Sequence, residues 1–311
     1  MNFEEAERQF INRCLALGLS TETIKQYQKV LKRLIQNYTK DKTEKTIEST
    51  DIRVFTSTLL REHLAFLSRC VSPTTVKIHY MALHSFFSFL YKNDIISEDV
   101  MRNIEKPKVP KRDLQAFTKE HLDILLSVFD RSTFTGFRNY VIACVLFSTG
   151  VRRGELVKIK LTDIMFEINA IKIIGKGNKL RNVPVSDTLR KLLIKYIKNR
   201  EEHIKTNKLY RSPYCFIRYT GNKLSENAVT DIFRKVGKEN RMNGVRVSPH
   251  TFRHSFAKYF LLNGGDVFTL QKILGHSDIS VTRQYVNLNE NDIRVQNEKY
   301  NPLENETWKY Y

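Results

Sequence analysis

Residues 248–285 have the sequence SPHTFRHSFAKYFLLNGGDVFTLQKILGHSDISVTRQY. Ser248 followed by Pro249 is a typical helix opening, with serine as the N-cap and proline at the first helical position. His250 and Arg253 then lie three residues apart in the first turn, at the rim of an apolar stripe. The stripe consists of Phe252, Phe256, Tyr259 and Phe260. Such a helix suits the wall of a cleft, because one side is anchored and the other is open.

The residues that follow predict two more short helices. Asp266 caps the first of them, and Gly275 ends it as a left-handed C-cap. His276 therefore lies at a fixed exit point, and a further helix from about residue 277 carries Tyr285. Each of these polar residues, taken singly, also has an ordinary structural explanation, so a function depends on partners elsewhere in the chain.

The charge of the whole chain indicates a nucleic-acid partner. The 311 residues include 52 Lys and Arg against 33 Asp and Glu, which gives a net charge of +19. A polyanion is the default partner for such a balance. Residues 1–107 contain 16 basic and 13 acidic residues, whereas residues 108–290 contain 33 and 16. The second part of the chain therefore carries the polyanion-binding charge.

Composition also argues against several classes of protein. The cysteines are dispersed without a CxxC pair, which argues against a zinc ribbon and a disulfide framework. The N-terminal stretch MNFEEAERQF has no apolar signal region, and no apolar run approaches about 18 residues. We therefore expect a cytoplasmic protein with no membrane association.

Helical periodicity predicts an all-α bundle in the first part of the chain. The predicted helices cover residues 3–17, a stretch from Ser20 or Thr21, residues 51–67 and a stretch from Ser72, and a short helix over 97–103 closes the bundle. We assign residues 1–105 to this domain. The following KPKVPKR contains two prolines and four positive charges, so residues 106–116 are predicted to be a basic linker.

The second domain, predicted over residues 117–290, mixes helices with a small sheet. Its helices are expected after Thr118, over 136–149 as a buried hub, over 187–205 and over 225–240. Its β-like runs are 164–166, 170–174 and 180–185, with an edge strand over 214–219. In the helix over 187–205 the basic residues are expected to face outward: Lys191, Lys195, Lys198 and Arg200. The fold class is therefore mainly α with a small β-sheet, an N-terminal helical bundle followed by an α+β domain.

Two further candidates for a site lie in this domain. Arg152 emerges at the mouth of the hub helix in TGVRRGEL, and Glu155 three residues on can hold its guanidinium. Lys176 lies at the tip of a hairpin in GKGNK, which lacks the spacing of a phosphate-binding P-loop. We also expect basic side chains outside this set to contact DNA, namely Lys77, Lys179, Arg181, Arg241 and Arg246.

In chain order the candidates are Arg152, Lys176, His250, Arg253, His276 and Tyr285. This order, with the contexts TGVRRGEL, IGKGNK, SPHTFRHSFA and LGHSDISVTRQY, resembles the tyrosine recombinase, or phage integrase, family. The likeness extends over nearly the whole chain and is closest to Xer and transposon integrases. It implies a SAM-like core-DNA-binding domain followed by a catalytic domain. It further implies that the first five candidates are catalytic, that Tyr285 is the nucleophile and that Glu155 supports them. Since the first helix begins almost at once, we expect no N-terminal arm-binding domain.

The chemistry of phosphodiester cleavage accounts for these residue types. Two planar guanidinium groups, Arg152 and Arg253, can bind the non-bridging oxygens bidentately as negative charge spreads over them. Tyr285, whose ordinary pKa is about 10, needs a base, and His250 is the candidate. Lys176 is the candidate acid for the departing 5′ oxygen.

The remaining roles need no bound group. His276 would donate a hydrogen bond to the phosphoryl group. No clustered carboxylates or HExxH motif provide metal ligands, so we expect no metal and no cofactor. A phosphotyrosine linkage retains the energy of the broken ester, which agrees with the absence of an ATP-binding motif.

These inferences predict a site-specific recombinase that cleaves and rejoins double-stranded DNA at core sites through a 3′-phosphotyrosine. We expect a homotetramer in the synaptic complex, with DNA-bending or directionality factors as further partners. Residues 291–311 cannot form a core alone, so we expect this tail to dock on a neighbouring subunit. Integration and excision of a mobile element is the preferred role. The alternatives are Xer-like resolution of chromosome or plasmid multimers, a relaxer or telomere resolvase with the same chemistry, and a non-catalytic DNA-binding protein.

Overall fold

A computed structural model describes residues 1–39, 50–110 and 115–276, together with residues 278, 294 and 297. The chain divides into two compact units, Met1–Arg112 and Asp113–Tyr311. The finer division into domain, linker and tail stays a prediction. The helix predicted from residue 277 and the tail over 291–311 lie outside the described residues, apart from the three single positions. Within the described part, no helix is long and apolar enough to cross a membrane.

The first unit is built from helices that begin at polar caps. Asn2, Ser20, Thr56 and Ser72 each accept a backbone N–H of the following first turn through a side-chain oxygen. The helices pack around a core rich in phenylalanine, including Phe10, Phe55, Phe86 and Phe87. Their bounds are α1 (Phe3–Ala16), α2 (Thr21–Tyr38), α3 (Ser57–Cys70) and α4 (Pro73–Lys92).

Two predictions for this unit are wrong in detail. The helix expected over 51–67 is interrupted, because Asp51 caps a separate 3-10 turn over Ile52–Val54 and Thr56 caps α3. Residues 97–103 form turns rather than a helix. Their backbone bonds span only three residues, as from Arg102 N to Asp99 O, so no α-helical ladder develops.

The second unit is centred on a buried helix, α6. Val141, Ile142, Ala143, Val145 and Leu146 are all fully buried there, which confirms the predicted hub. α6 packs against α8 and α10. The helices are α5 (Lys119–Ser127), α6 (Phe134–Thr149), α7 (Arg153–Leu156), α8 (Asp187–Thr206), α9 (Glu226–Glu239), α10 (Pro249–Leu262) and α11 (Val267–Leu274).

A small antiparallel sheet completes this unit. Its order is β1 (Ile164–Met165), β2 (Ala170–Ile174) and β3 (Leu180–Pro184), with Ile173 opposite Arg181. The hairpin between β2 and β3 closes through Gly177, whose φ of 72° lies in the left-handed region. The edge strand predicted over residues 214–219 does not form. Tyr214 and Ile217 instead make isolated bridges with Lys160 and Lys223.

Arg200 does not face outward as its position in the helical pattern predicts. Its side chain is 1% exposed. The guanidinium donates to the carbonyl oxygens of Ser212, Tyr214 and Cys215 and pairs with Glu201. A guanidinium has five N–H donors in one plane, so Arg200 supplies several buried loop carbonyls with hydrogen bonds that they would otherwise lack.

Candidate active site

The Arg152 side chain projects from the loop after α6, where protein holds one side of it and solvent reaches the other. Gly150 ends α6 in the left-handed conformation, at φ 61°, and Arg152 becomes the N-cap residue of α7. Its backbone N–H donates to Glu155 Oε2 at 2.8 Å, and its Nη1 donates to Glu155 Oε1 at 3.0 Å. The Arg152 side chain is 42% exposed, whereas that of Glu155 is only 6% exposed. The carboxylate thus fixes the arginine, and solvent reaches its far side.

A second arginine shares the same carboxylate. Arg181, on β3, donates from Nη1 to Glu155 Oε1 at 3.0 Å and from Nη2 to Oε2 at 2.8 Å. Burial raises the pKa of the Glu155 carboxyl, but the Arg181 hydrogen bonds, the Arg152 N–H and both positive charges outweigh it and hold the pKa below its ordinary value. Glu155 is therefore ionised at neutral pH.

Of the predicted catalytic side chains that the structure describes, Arg253 is the most enclosed, at 3% exposure. It lies in the first turn of α10, as predicted from Ser248 and Pro249. Its Nη1 donates to Gly150 O at 2.6 Å. Its Nη2 contacts Leu274 O at 2.9 Å and His276 Nε2 at 2.6 Å. One guanidinium thus joins the carbonyl ends of α6 and α11.

The carboxyl end of α11 gathers three arginines. Ile273 O accepts from Arg181 Nε at 2.8 Å. Leu274 O accepts from Arg253 at 2.9 Å and from Arg152 Nη1 at 3.4 Å. The last carbonyls of a helix have no intrahelical partners and carry the negative end of its dipole, so they favour cations. The structure thereby brings Arg152, Arg253 and Arg181, the last predicted only as a DNA contact, together at one point.

His276 follows Gly275, the predicted left-handed cap, directly into this cluster. It is 9% exposed. Burial, and then the charges of Arg253, Arg152 and Arg181, lower the pKa of His276 to about 4, although Glu155 opposes the shift. A guanidinium has no acceptor, so His276 Nε2 must accept from Arg253. The neutral ring consequently carries its proton on Nδ1.

His250 lies in the same first turn as Arg253 but is exposed. Partial desolvation of the ring, with the charges of Arg253 and Arg246, lowers the pKa of His250. The unprotonated form, which can accept a proton, is therefore favoured. The side chain of Lys176 and the whole of Tyr285 lie outside the described residues.

The predicted DNA contacts occupy different environments. Lys179, Arg241 and Arg246 are exposed in the second unit, and Lys77 is half-buried in the first turns of α4. Arg181 differs from them because its guanidinium is held by Glu155 and Ile273 O, at 12% side-chain exposure. Sequence reasoning missed this role, since a backbone carbonyl 92 positions away leaves no mark in the sequence. In the described part of the chain, no group of three His, Cys, Asp or Glu residues is arranged to hold a metal ion.

The described residues thus form a helical bundle followed by a helical domain with a small sheet and an arginine-rich site. The model of the phage integrase family matches residues 115–292, and the model of the phage integrase N-terminal SAM-like domain matches residues 8–97. The chain belongs to the phage integrase family and is a tyrosine site-specific recombinase. The predicted family, fold class and type of enzyme are confirmed.

Known relatives extend over most of the chain. It is 33% identical to tyrosine recombinase XerD of Listeria monocytogenes over 274 residues, which are 87% of this chain and 89% of the relative. It is 30% identical to tyrosine recombinase XerC of Pediococcus pentosaceus over 298 residues, 95% and 94% of the two chains.

Solved structures share the fold at lower identity. XerH recombinase bound to palindromic difH matches with a TM-score of 0.70 and 21% identity, over 94% of this chain and 84% of that one. The Tn1549 transposon integrase in complex with a circular intermediate DNA matches with a TM-score of 0.73 and 16% identity, over 94% and 98%.

Proposed function

We propose that the cluster at the end of α11 holds one phosphate of double-stranded DNA while Tyr285 attacks it. The convergence of Arg152, Arg253 and His276 within hydrogen-bond distance of one another or of Leu274 O supports this proposal. Such a group of donors is complementary to the charge that develops on the non-bridging oxygens. Its donors are held by protein acceptors before DNA arrives, so little reorganisation is needed.

The step balances without an added reactant. The Tyr285 oxygen bonds to phosphorus and its proton passes to His250, whose lowered pKa favours the accepting form. The bond from phosphorus to the 5′ oxygen breaks, and Lys176 supplies that oxygen with a proton. A 3′-phosphotyrosine and a 5′ hydroxyl result. Reversal with the hydroxyl of another strand rejoins the DNA and restores the phenol.

His276 acts in this scheme as a neutral donor. With Nε2 engaged by Arg253, the Nδ1–H is the ring donor for a phosphoryl oxygen. Its pKa of about 4 keeps the ring neutral at neutral pH. Glu155 fixes Arg152 from behind, and the exposed side of the Arg152 guanidinium meets the phosphate.

We further propose a tetramer on two duplexes with specific core sites. Exchange between two duplexes requires the cutting of four strands, and each chain carries one Tyr285 as the nucleophile. Exposed Lys179, Arg241 and Arg246, with Lys77 of the first unit, contact the DNA backbone in this proposal. Accessory DNA-bending factors remain part of the same proposal.

Two biological roles use this chemistry. The sequence favoured mobile-element integration, whereas relatives named XerC and XerD, 30–33% identical over nearly the whole chain, favour Xer-like resolution of chromosome or plasmid multimers. The transposon integrase is only 16% identical to this chain, so the likeness supports a shared fold and no shared role. We therefore propose multimer resolution first and mobile-element integration second.

The chemistry is tested by covalent capture. The Tyr285→Phe variant is used to enrich duplexes from a random pool by binding, and the enriched duplexes are rebuilt with a nick beside the candidate cut site. The parent protein should form a denaturant-resistant adduct, because the short cut fragment diffuses away and religation fails. An enriched duplex that yields no adduct with the parent contradicts the proposal and leaves the DNA-binding alternative. An adduct that persists in Tyr285→Phe contradicts Tyr285 as the nucleophile.

The biological role is tested by where the captured sequence lies. A single site in a replicon supports multimer resolution, whereas matched sites at both ends of a discrete segment support integration. Relaxation of supercoiled DNA without a sequence preference would support the relaxer instead.

A further inference from the structure

Glu155 carries a single negative charge that two arginines share. Arg152 and Arg181 together donate four hydrogen bonds to its carboxylate, one of them from the Arg152 backbone N–H, at 2.8 to 3.0 Å. The Glu155 side chain is 6% exposed, so its carboxylate is solvated by protein donors rather than by water. Both guanidinium groups donate to Oε1, whereas Oε2 accepts from the Arg181 guanidinium and from the Arg152 backbone N–H.

Arg181 also connects three parts of the chain that each carry a site residue. It lies on β3, opposite Ile173 on β2, close to the turn that contains Lys176. Its forked contact reaches Glu155 on α7, beside Arg152. Its Nε reaches Ile273 O at the end of α11, three residues before His276. Gly275 packs over the same side chain, since a Cβ there would lie 3.0 to 3.1 Å from Arg181 Cδ, Nε and Nη1.

We propose that Arg181 is a positioning residue for strand cleavage, which holds one side of Glu155 so that Arg152 stays directed at the phosphate. It also fixes the base of the β2–β3 hairpin against the end of α11. This inference rests on the proposed function of the site. Arg181 touches no DNA in this scheme, because a phosphate would have to displace the Glu155 carboxylate to reach it.

The proposal separates cleavage from binding. Arg181→Met should slow single-turnover cleavage of bound suicide duplex by about 10²-fold, as a misplacement of about 1 Å does. Its affinity for DNA and the salt dependence of that affinity should match the parent. Lys179→Met, an exposed lysine on the same hairpin, is the reference for a phosphate contact and should lower the slope of log affinity against log salt by about 1. A loss of affinity and slope in Arg181→Met, with normal cleavage once bound, overturns the proposal.

A conservative variant and a pH profile separate positioning from folding. Arg181→Lys keeps the charge but cannot make the fork to Glu155 and the bond to Ile273 O together, so it should recover part of the rate. In Arg181→Met the pKa of Glu155 should rise, because Arg152 alone then faces the buried carboxyl, with neutral His276 nearby. The acid limb of the cleavage profile should move to higher pH and return to its original position in Glu155→Gln/Arg181→Met. An unshifted limb in Arg181→Met overturns the positioning role.

A test without activity distinguishes this inference from the proposed function. The parent, Glu155→Gln, Arg181→Met and the double variant form a cycle for thermal unfolding, which should show coupling between the two residues. Failure of the parent to form an adduct contradicts the proposed function and leaves that coupling measurable. Additive losses of stability would overturn the Arg181 assignment even if the parent cleaves DNA.

Discussion

Arginine rather than lysine serves at position 253 because one planar group has to reach three acceptors. Gly150 O, Leu274 O and His276 Nε2 surround the guanidinium at 2.6 to 2.9 Å. An ammonium is a compact point charge on a flexible stem and cannot bridge two helix ends and a ring. The buried position also makes its charge more effective than the same charge in water.

We predict that Arg253→Lys lowers the single-turnover cleavage rate by about 10²- to 10³-fold, the range for loss of one preorganised donor. The folded state should persist, with roughly 1–3 kcal/mol lost for a carbonyl left without its donor. Adduct formation on the captured duplex measures the rate. Arg211→Lys, at an exposed position of the same unit, is the control and should behave like the parent. A rate for Arg253→Lys within threefold of the parent contradicts the proposed role.

Two buried histidines in the first unit form a second noteworthy residue group. His63 on α3 and His79 on α4 have ring centroids 6.1 Å apart. Within the described residues, His63 Nε2 and His79 Nδ1 are buried and lack hydrogen-bond partners. Burial, and then His79 and Arg33, lower the pKa of His63 to about 4. Burial, with Arg33 and Lys29, does the same for His79.

This pair should make the first unit sensitive to acid. In the folded chain the pKa values of His63 and His79 lie below the ordinary 6.5. Between about pH 6.5 and pH 4 these two histidines are therefore protonated more fully in the unfolded chain than in the folded chain. The free energy of unfolding should therefore fall as the pH falls through that window, by roughly 3 kcal/mol per histidine at most. Urea unfolding at several pH values measures it.

The control for this prediction is a nearby exposed histidine. His63→Leu/His79→Leu should flatten the dependence on pH, whereas His84→Leu should retain it, because His84 is exposed on the same helix as His79. Equal slopes for all three proteins would show that other groups cause the acid sensitivity.

At the scale of elements, two helix ends build the site. α6 ends at Gly150 and α11 at Gly275, both with φ in the left-handed region, at 61° and 65°. Each end directs its last carbonyls at arginines rather than at water. The glycines matter because any side chain there would meet both a strained backbone and packed neighbours.

We predict that Gly150→Ala destabilises the second unit by about 2–4 kcal/mol, from left-handed strain plus overpacking. A Cβ at this position would overlap Phe256 and lie 2.7 Å from Leu274 Cδ2. Gly244→Ala is the matched control, because φ is 78° there and nothing lies within 4 Å of the new Cβ. That variant should lose only about 1–2 kcal/mol. Chemical unfolding measures both, and equal losses would refute the packing argument.

At the scale of the whole molecule, charge governs binding to DNA. The net charge is +19, and residues 108–290 contain 33 basic and 16 acidic residues. Much of this excess is exposed rather than buried, as at Lys179, Arg241 and Arg246. Counterion release should therefore supply a large part of the affinity and none of the sequence preference.

We predict a steep loss of DNA affinity with salt. If six to ten phosphates are contacted, affinity should fall by about 10³- to 10⁵-fold between about 50 and 200 mM salt. Lys179→Gln and Arg241→Gln should each reduce the slope by about 1 and weaken all sequences alike. Fluorescence titrations over a salt series measure the slope. A slope near zero would mean that the excess charge serves another purpose.

Local chemistry let the sequence by itself determine most of the elements and the site residues that the structure brings together. Ser20, Ser72 and Ser248 begin helices, and Gly275 ends one, because capping depends on residues within one turn. The hairpin follows from a turn that contains Gly177, and the hub helix is buried because its side chains are apolar on nearly all sides. Two caps five residues apart, Asp51 and Thr56, divided a predicted helix that periodicity alone made continuous.

Only the tertiary structure decided which charged side chains turn inward. Arg200 and Arg181 both follow patterns that predict solvent or DNA, yet each satisfies carbonyls of a distant segment. Every residue except proline offers the same N–H and every residue the same C=O, so a sequence cannot reveal which carbonyl is left without a partner. That choice depends on where helices end in space, and there α11 determines the direction of three arginines.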